Sequence, residues 1–76
     1  MDLTKEQEVA VMTAVESVIE SSDELEFFND YQYDLVCDAV ETGIESVNPV
    51  FDADGNVTVE AKKAGLDAGL LVCDNF

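Results

Sequence analysis

Asp30, Asp34, Asp38, Glu41 and Glu45 recur at spacings of four, four, three and four residues. On a helix turning about 100° per residue, that series fills one sector of roughly 80° and runs for about 22 Å. Each like-charged neighbour pair at this spacing costs about 0.2–0.5 kcal/mol, so the four pairs together cost about 1–2 kcal/mol. That is a sizeable part of the roughly 5–15 kcal/mol that keeps a domain folded. An ordinary solvated face intersperses lysines among its acids and relieves the repulsion; this one carries none. Such a row can do recognition chemistry. Its carboxylates stand at spacings similar to backbone phosphates, and a basic groove built for DNA or RNA would bind them through electrostatic steering and counterion release. The plain alternative is a solvated face in a protein adapted to salt.

Further acids lie upstream of the row at Glu16, Glu20, Glu24 and Glu26, and they extend the expected contact surface. The aromatics Phe27, Phe28, Tyr31 and Tyr33 interleave with Glu26, Asp30 and Asp34. Aromatic anchors beside steering charges make a contact patch, with Phe28 and Tyr31 as the expected anchors; the alternative is core with a partly exposed rim.

Asp52-Ala53-Asp54-Gly55-Asn56 resembles the middle of an EF-hand calcium loop. Aligned on Gly55, however, the first ligand position is Val50 and the bidentate position is Ala61. Neither supplies a side-chain oxygen, so Asp52 and Asp54 are at most weak metal candidates, and no metal or other cofactor is expected. The segment reads better as a turn. Catalysis is not expected either. With no histidine and no arginine, nucleophile–histidine pairs cannot form. Zinc-ligand spacing and a glycine-rich phosphate loop are both missing.

The charge balance sharpens the argument. The 76 residues hold 18 acids and three lysines, for a net charge of -15. Between Glu6 and Ala61 there are 15 acids and no basic residue; the lysines are Lys5, Lys62 and Lys63. Such a surface repels nucleic acid and anionic membranes and attracts basic proteins, so direct binding to nucleic acid or membrane is not expected. In composition alone the chain resembles the small acidic inhibitors that phages use against nucleic-acid-handling enzymes. No segment reads as a signal peptide or a membrane span, so the cytoplasm is expected, the host's if the chain is phage-encoded. There, Cys37 and Cys73 would be reduced and partly buried; a single disulfide belongs to an oxidising compartment.

The elements that must position these residues are mostly helices. Leu3–Glu20 is expected as the first, opened by a Thr4/Gln7 capping box and buried through Val11, Ala14, Val15 and Val18. Ser21/Glu24, Asp23/Glu26 and Asn29/Gln32 repeat the capping signature, which suggests a short helical turn near Phe27. Asp30–Val47 is the strongest helix, with Val36, Val40, Gly43, Ile44 and Val47 as its stripe, ended by Asn48-Pro49. Val50–Val59 reads as a tight hairpin, or as a loop whose Thr58 caps the next helix. In Glu60–Val72, Ala61, Gly65 and Gly69 are spaced by four, which lets another backbone approach. Leu66 and Leu70 lie on a different face, sandwiched in the fold or used in an interface.

The expected architecture is therefore one mainly α domain, a small bundle of three to four helices with a short β-hairpin near residues 50–59. The expected function is binding to a basic, nucleic-acid-binding protein. The alternative is a small structural or assembly protein that uses Leu66 and Leu70, with the acids serving only solubility or salt adaptation. A chain of 76 residues buries a modest core, and homodimerisation is one way to enlarge it.

Overall fold

The computed structural model describes residues 3–25, 27 and 29–76. Among these residues three helices form: α1 (Lys5–Ser21), α2 (Asp30–Glu45) and α3 (Val59–Asp74). Each opens on a side-chain cap. Thr4 Oγ1 accepts from the Gln7 amide at 3.2 Å while the Thr4 amide donates to Gln7 Oε1 at 2.9 Å, so the capping box forms as the sequence indicates. Asn29 Oδ1 accepts from the Gln32 amide at 2.9 Å. Thr58 Oγ1 accepts from the Ala61 amide at 3.3 Å. These contacts satisfy amide donors that a helix start leaves without intrahelical partners.

The core is built of small pieces. Val11, Ala14, Val15 and Val18 come from α1, Val36, Val40 and Ile44 from α2, and Ala61 from α3. Leu25, Val50 and Val57 plug it from the connections. The intimate pair is α2 with α3. A Cβ added to Gly43 would lie 2.6 Å from the Ala64 carbonyl oxygen and 2.8 Å from Gly65 Cα, and one added to Gly65 would lie 2.9 Å from the Val40 carbonyl oxygen. Gly65 thus admits a neighbouring backbone, which α2 meets with a glycine of its own, whereas Gly69 makes room for the side chains of Val40 and Leu25. Gly43 faces residues 64 and 65 while Gly69 faces Val40 and Val36, so the two helices run antiparallel.

Two expected elements are smaller than their sequence patterns suggest. No helical turn forms among the described residues of the α1–α2 connection. Ser21 ends α1 with its hydroxyl donating back to the Val18 carbonyl, so it does not cap a new helix. Ser22 Oγ accepts from the Glu24 amide, closing a local turn, and Leu25 is buried as a plug. The Asp23/Glu26 pair lies partly outside the described residues. Among the described residues the bundle therefore has three helices, with no fourth.

The hairpin expected over 50–59 reduces to a single antiparallel bridge between Phe51 and Val57, with no strand among the described residues. The Asp52 amide donates to the Asn56 carbonyl at 2.8 Å and the Thr58 amide to Val50 at 2.9 Å. Thr58 is already the cap of α3, so the chain turns into a helix before a second residue pair can form. At the tip, Gly55 has φ +84°, a left-handed conformation that glycine adopts at little cost. No helix among the described residues is long and apolar enough to cross a membrane.

Candidate partner-binding surface

Helix α2 carries the five-carboxylate row over its whole length. Asp30, Asp34, Asp38 and Glu41 are exposed, while Glu45, its last residue, is half-buried. The opposite side holds Val36, Val40, Gly43 and Ile44, all buried. That packing is what aims the acids outward: burial of the apolar stripe fixes the rotation of the helix. Among the described residues, no lysine is ion-paired to a carboxylate of the row. No basic residue lies in the last turn of any of the three helices. Glu45 and Asp74 instead end α2 and α3, at helix termini where the backbone dipole disfavours negative charge.

Helix α1 contributes a second line of acids. Glu16 and Glu20 are exposed, and both act electrostatically on Tyr33 of α2. Glu8 lies with Glu41 and Glu45 around a shared depression. Glu8 thus meets the end of α2 and Glu16 its first half, so α1 and α2 are antiparallel and their acids flank a common seam. Met12, Val15, Tyr33 and Cys37 line this seam together with Glu16 and Glu41, in a groove of about 230 Å3. Met12 is 62% exposed. Periodicity places Met12 at the margin of the α1 apolar face, but only the meeting of two helices makes a groove of it.

The remaining expected residues fall as follows. Glu24 is exposed in the α1–α2 connection. Glu26 and Phe28 lie outside the described residues. Tyr31 is 71% exposed. It precedes Tyr33 by two positions, about 200° around the helix, so the two tyrosines do not share a patch. Tyr33 packs instead edge-on against Phe27, with ring centroids 4.9 Å apart at 72°. Leu66 and Leu70 are half-buried and pack against the core; the more exposed leucine of α3 is Leu71. Asp52 Oδ1 accepts from the Asp54 and Asn56 amides at 2.9 and 3.0 Å, so that carboxylate stabilises the turn. Among the described residues no three acids or thiols converge as metal ligands.

Neither cysteine is in a disulfide, and both are half-buried. Burial raises the Cys37 thiol above its usual value, the hydrogen bond with Tyr33 lowers it, and the charges of Asp34, Asp38 and Glu16 raise it further. Tyr33 is raised in turn, chiefly by that hydrogen bond to Cys37. The thiolate is the nucleophile, so Cys37 reports the local field. Replacing Asp34 and Asp38 by asparagine should speed its alkylation by iodoacetamide a few fold at low salt and mildly alkaline pH, read by mass spectrometry of the Cys37 peptide. An unchanged rate would mean that these carboxylates do not set the potential at the seam.

No family model matches the chain, and no curated protein or solved structure is similar enough to it to count as a relative.

Proposed function

We propose that this chain is an acidic binding protein that engages a basic surface of another protein, and that it occludes a DNA- or RNA-binding site as a phosphate look-alike. One observation carries the reading: four carboxylates of α2 stand exposed along one helix face, with the fifth half-buried at its end and no lysine among them. A helix held by a buried stripe presents charge without having to be ordered on binding, which avoids part of the cost of association. Its work is binding rather than catalysis, its place is the cytoplasm, and an inhibitor carried by a phage into its host is the setting that suits it.

The test is capture of partners from a lysate at low and at high salt, with duplex DNA as competitor. A basic, nucleic-acid-binding protein should be retained at low salt, released at high salt and displaced by DNA. Replacing both Asp34 and Asp38 by lysine should weaken that complex by at least about tenfold, since reversed charges at an interface repel their former partners. Retention that ignores both salt and the reversal would sink the proposal. So would a molecular mass that grows with protein concentration while no basic protein is retained, an outcome that favours self-assembly.

A further inference from the structure

The seam between α1 and α2 is chemically different from the row beside it. A row of charges alone suits any basic groove. The seam adds an apolar floor, formed by Met12, Val15, Tyr33 and Cys37. Its walls are acidic on both sides, with Glu8 and Glu16 from α1 and Glu41 and Glu45 from α2. We infer that this seam docks a basic amphipathic helix of the partner protein, its apolar face on Met12 and Tyr33 and its lysines or arginines against the two lines of acids. The inference rests on the proposed engagement of a basic protein and specifies the segment that makes it.

Three observations select this occupant. The first is charge complementarity: carboxylates flank the apolar floor from both helices, and of the three lysines Lys62 and Lys63 belong to α3 while Lys5 stands at the start of α1, three residues before Glu8. A helix with one apolar face and basic flanks matches this arrangement, whereas an acidic or neutral segment does not. The second is size. The groove at Met12 and Tyr33 holds about 230 Å3 and the adjoining depression at Glu8 and Glu45 about 240 Å3, two shallow hollows that are each below the roughly 300–1,000 Å3 of a small-molecule pocket. They suit a few anchoring side chains set on one face of a helix, the usual pattern of helix-in-groove recognition. From Glu8 to Glu16 the α1 wall runs about 12 Å, or about two turns of a docked helix. The third is the exposed thioether. Met12 is 62% exposed over a groove, and a flexible, polarizable methionine adapts to varied apolar partners.

The experiment uses the full chain and two synthetic peptides of identical lysine and leucine composition. In one, leucines recur at i, i+3, i+4 and i+7; in the other the order is scrambled so that no apolar face forms. The amphipathic peptide should bind at least about tenfold more tightly by titration calorimetry, the increment an apolar anchor supplies beyond charge. Met12→Gln should remove most of that preference and leave the weaker, salt-sensitive binding common to both peptides. Tyr33→Ser should act in the same direction, and Leu71→Gln on α3 should change neither. Circular dichroism checks that each variant keeps its helices. If the two peptides bind equally and Met12→Gln changes nothing, the groove inference is overturned while engagement of basic partners stands. If neither peptide binds at low salt, the proposed function fails and the groove inference with it.

Discussion

Gly43→Ala is expected to lower the stability of the protein by about 2–3 kcal/mol, the usual scale of overpacking a close-packed contact. For a domain of this size each kcal/mol moves the melting temperature by about 4–8 °C, so a fall of about 10–20 °C should be seen by circular dichroism. The new methyl group would meet the Ala64 carbonyl oxygen at 2.6 Å and Gly65 Cα at 2.8 Å. Both are backbone atoms of α3 and cannot rotate away, so the two helices must separate. Their separation opens the contact that buries Val40 and Ile44. The substitution also has a gain, because alanine favours a helix over glycine by about 1 kcal/mol; the clash must exceed it. The neighbouring glycines give a graded comparison. At Gly65 the methyl meets Ile44 Cγ1 at 2.8 Å and the Val40 carbonyl oxygen at 2.9 Å, one side-chain and one backbone atom. At Gly69 it meets only side chains, Val40 Cγ2 at 2.9 Å and Leu25 Cδ2 at 3.1 Å. Losses should therefore fall in the order Gly43, Gly65, Gly69, with Gly69→Ala offset most fully by helix propensity. Equal melting temperatures across the three variants, or the reverse order, would show that the α2–α3 contact is not the tight joint of the fold.

That joint was half legible in the sequence. Small residues at Ala61, Gly65 and Gly69 announce a helix face that admits another backbone, but nothing in a single helix names the partner face. Gly43 reads as one more member of the α2 stripe until it is seen opposite Gly65. The helices themselves follow from local rules. The Thr4/Gln7 box, the valine stripes of α1 and α2 and the Thr58 cap each act within a few residues, where spacing is enough. The α1–α2 connection misleads for the same reason. Serine or aspartate followed three residues on by an acid is a local signature, and after Ser21 no continuing apolar period holds a helix, whereas the same kind of signature at Asn29 opens α2. Leu25 goes into the core from outside any helix. The outward aim of Asp30, Asp34, Asp38 and Glu41 was legible because a buried stripe on one side fixes the other. The groove was not, since it exists only between α1 and α2. Tyr31 and Tyr33 look like one patch in the sequence and are parted by the turn of the helix.

Neutralising the row should make the protein more stable and less able to bind, and the two effects together separate a functional surface from a merely solubilising one. The variant carries Asp34→Asn, Asp38→Asn, Glu41→Gln and Glu45→Gln. It abolishes all four like-charged neighbour pairs of α2, each costing about 0.2–0.5 kcal/mol. It also removes a negative charge from the C-terminal end of α2, a placement worth about 0.3–1 kcal/mol of relief. The side chains being replaced are exposed apart from Glu45, and asparagine and glutamine are helix formers comparable to the acids they replace, so little packing is disturbed. The expected gain is about 1–3 kcal/mol at low ionic strength, or a rise in melting temperature of about 5–20 °C. Salt screens the same repulsion over a Debye length of about 3 Å at 1 M. The wild-type curve should therefore climb with salt toward that of the variant, and the gap between them should close. Binding to the lysine-rich amphipathic peptide should fall by about tenfold or more over the same substitutions, because the charges that repel one another in the free protein are those that attract the partner. A surface kept only for solubility predicts the first effect without the second. If the variant gains no stability at low salt, the row is not a source of strain in the fold. If it gains stability and binds as tightly as before, then the acids of α2 are not what a basic partner recognises.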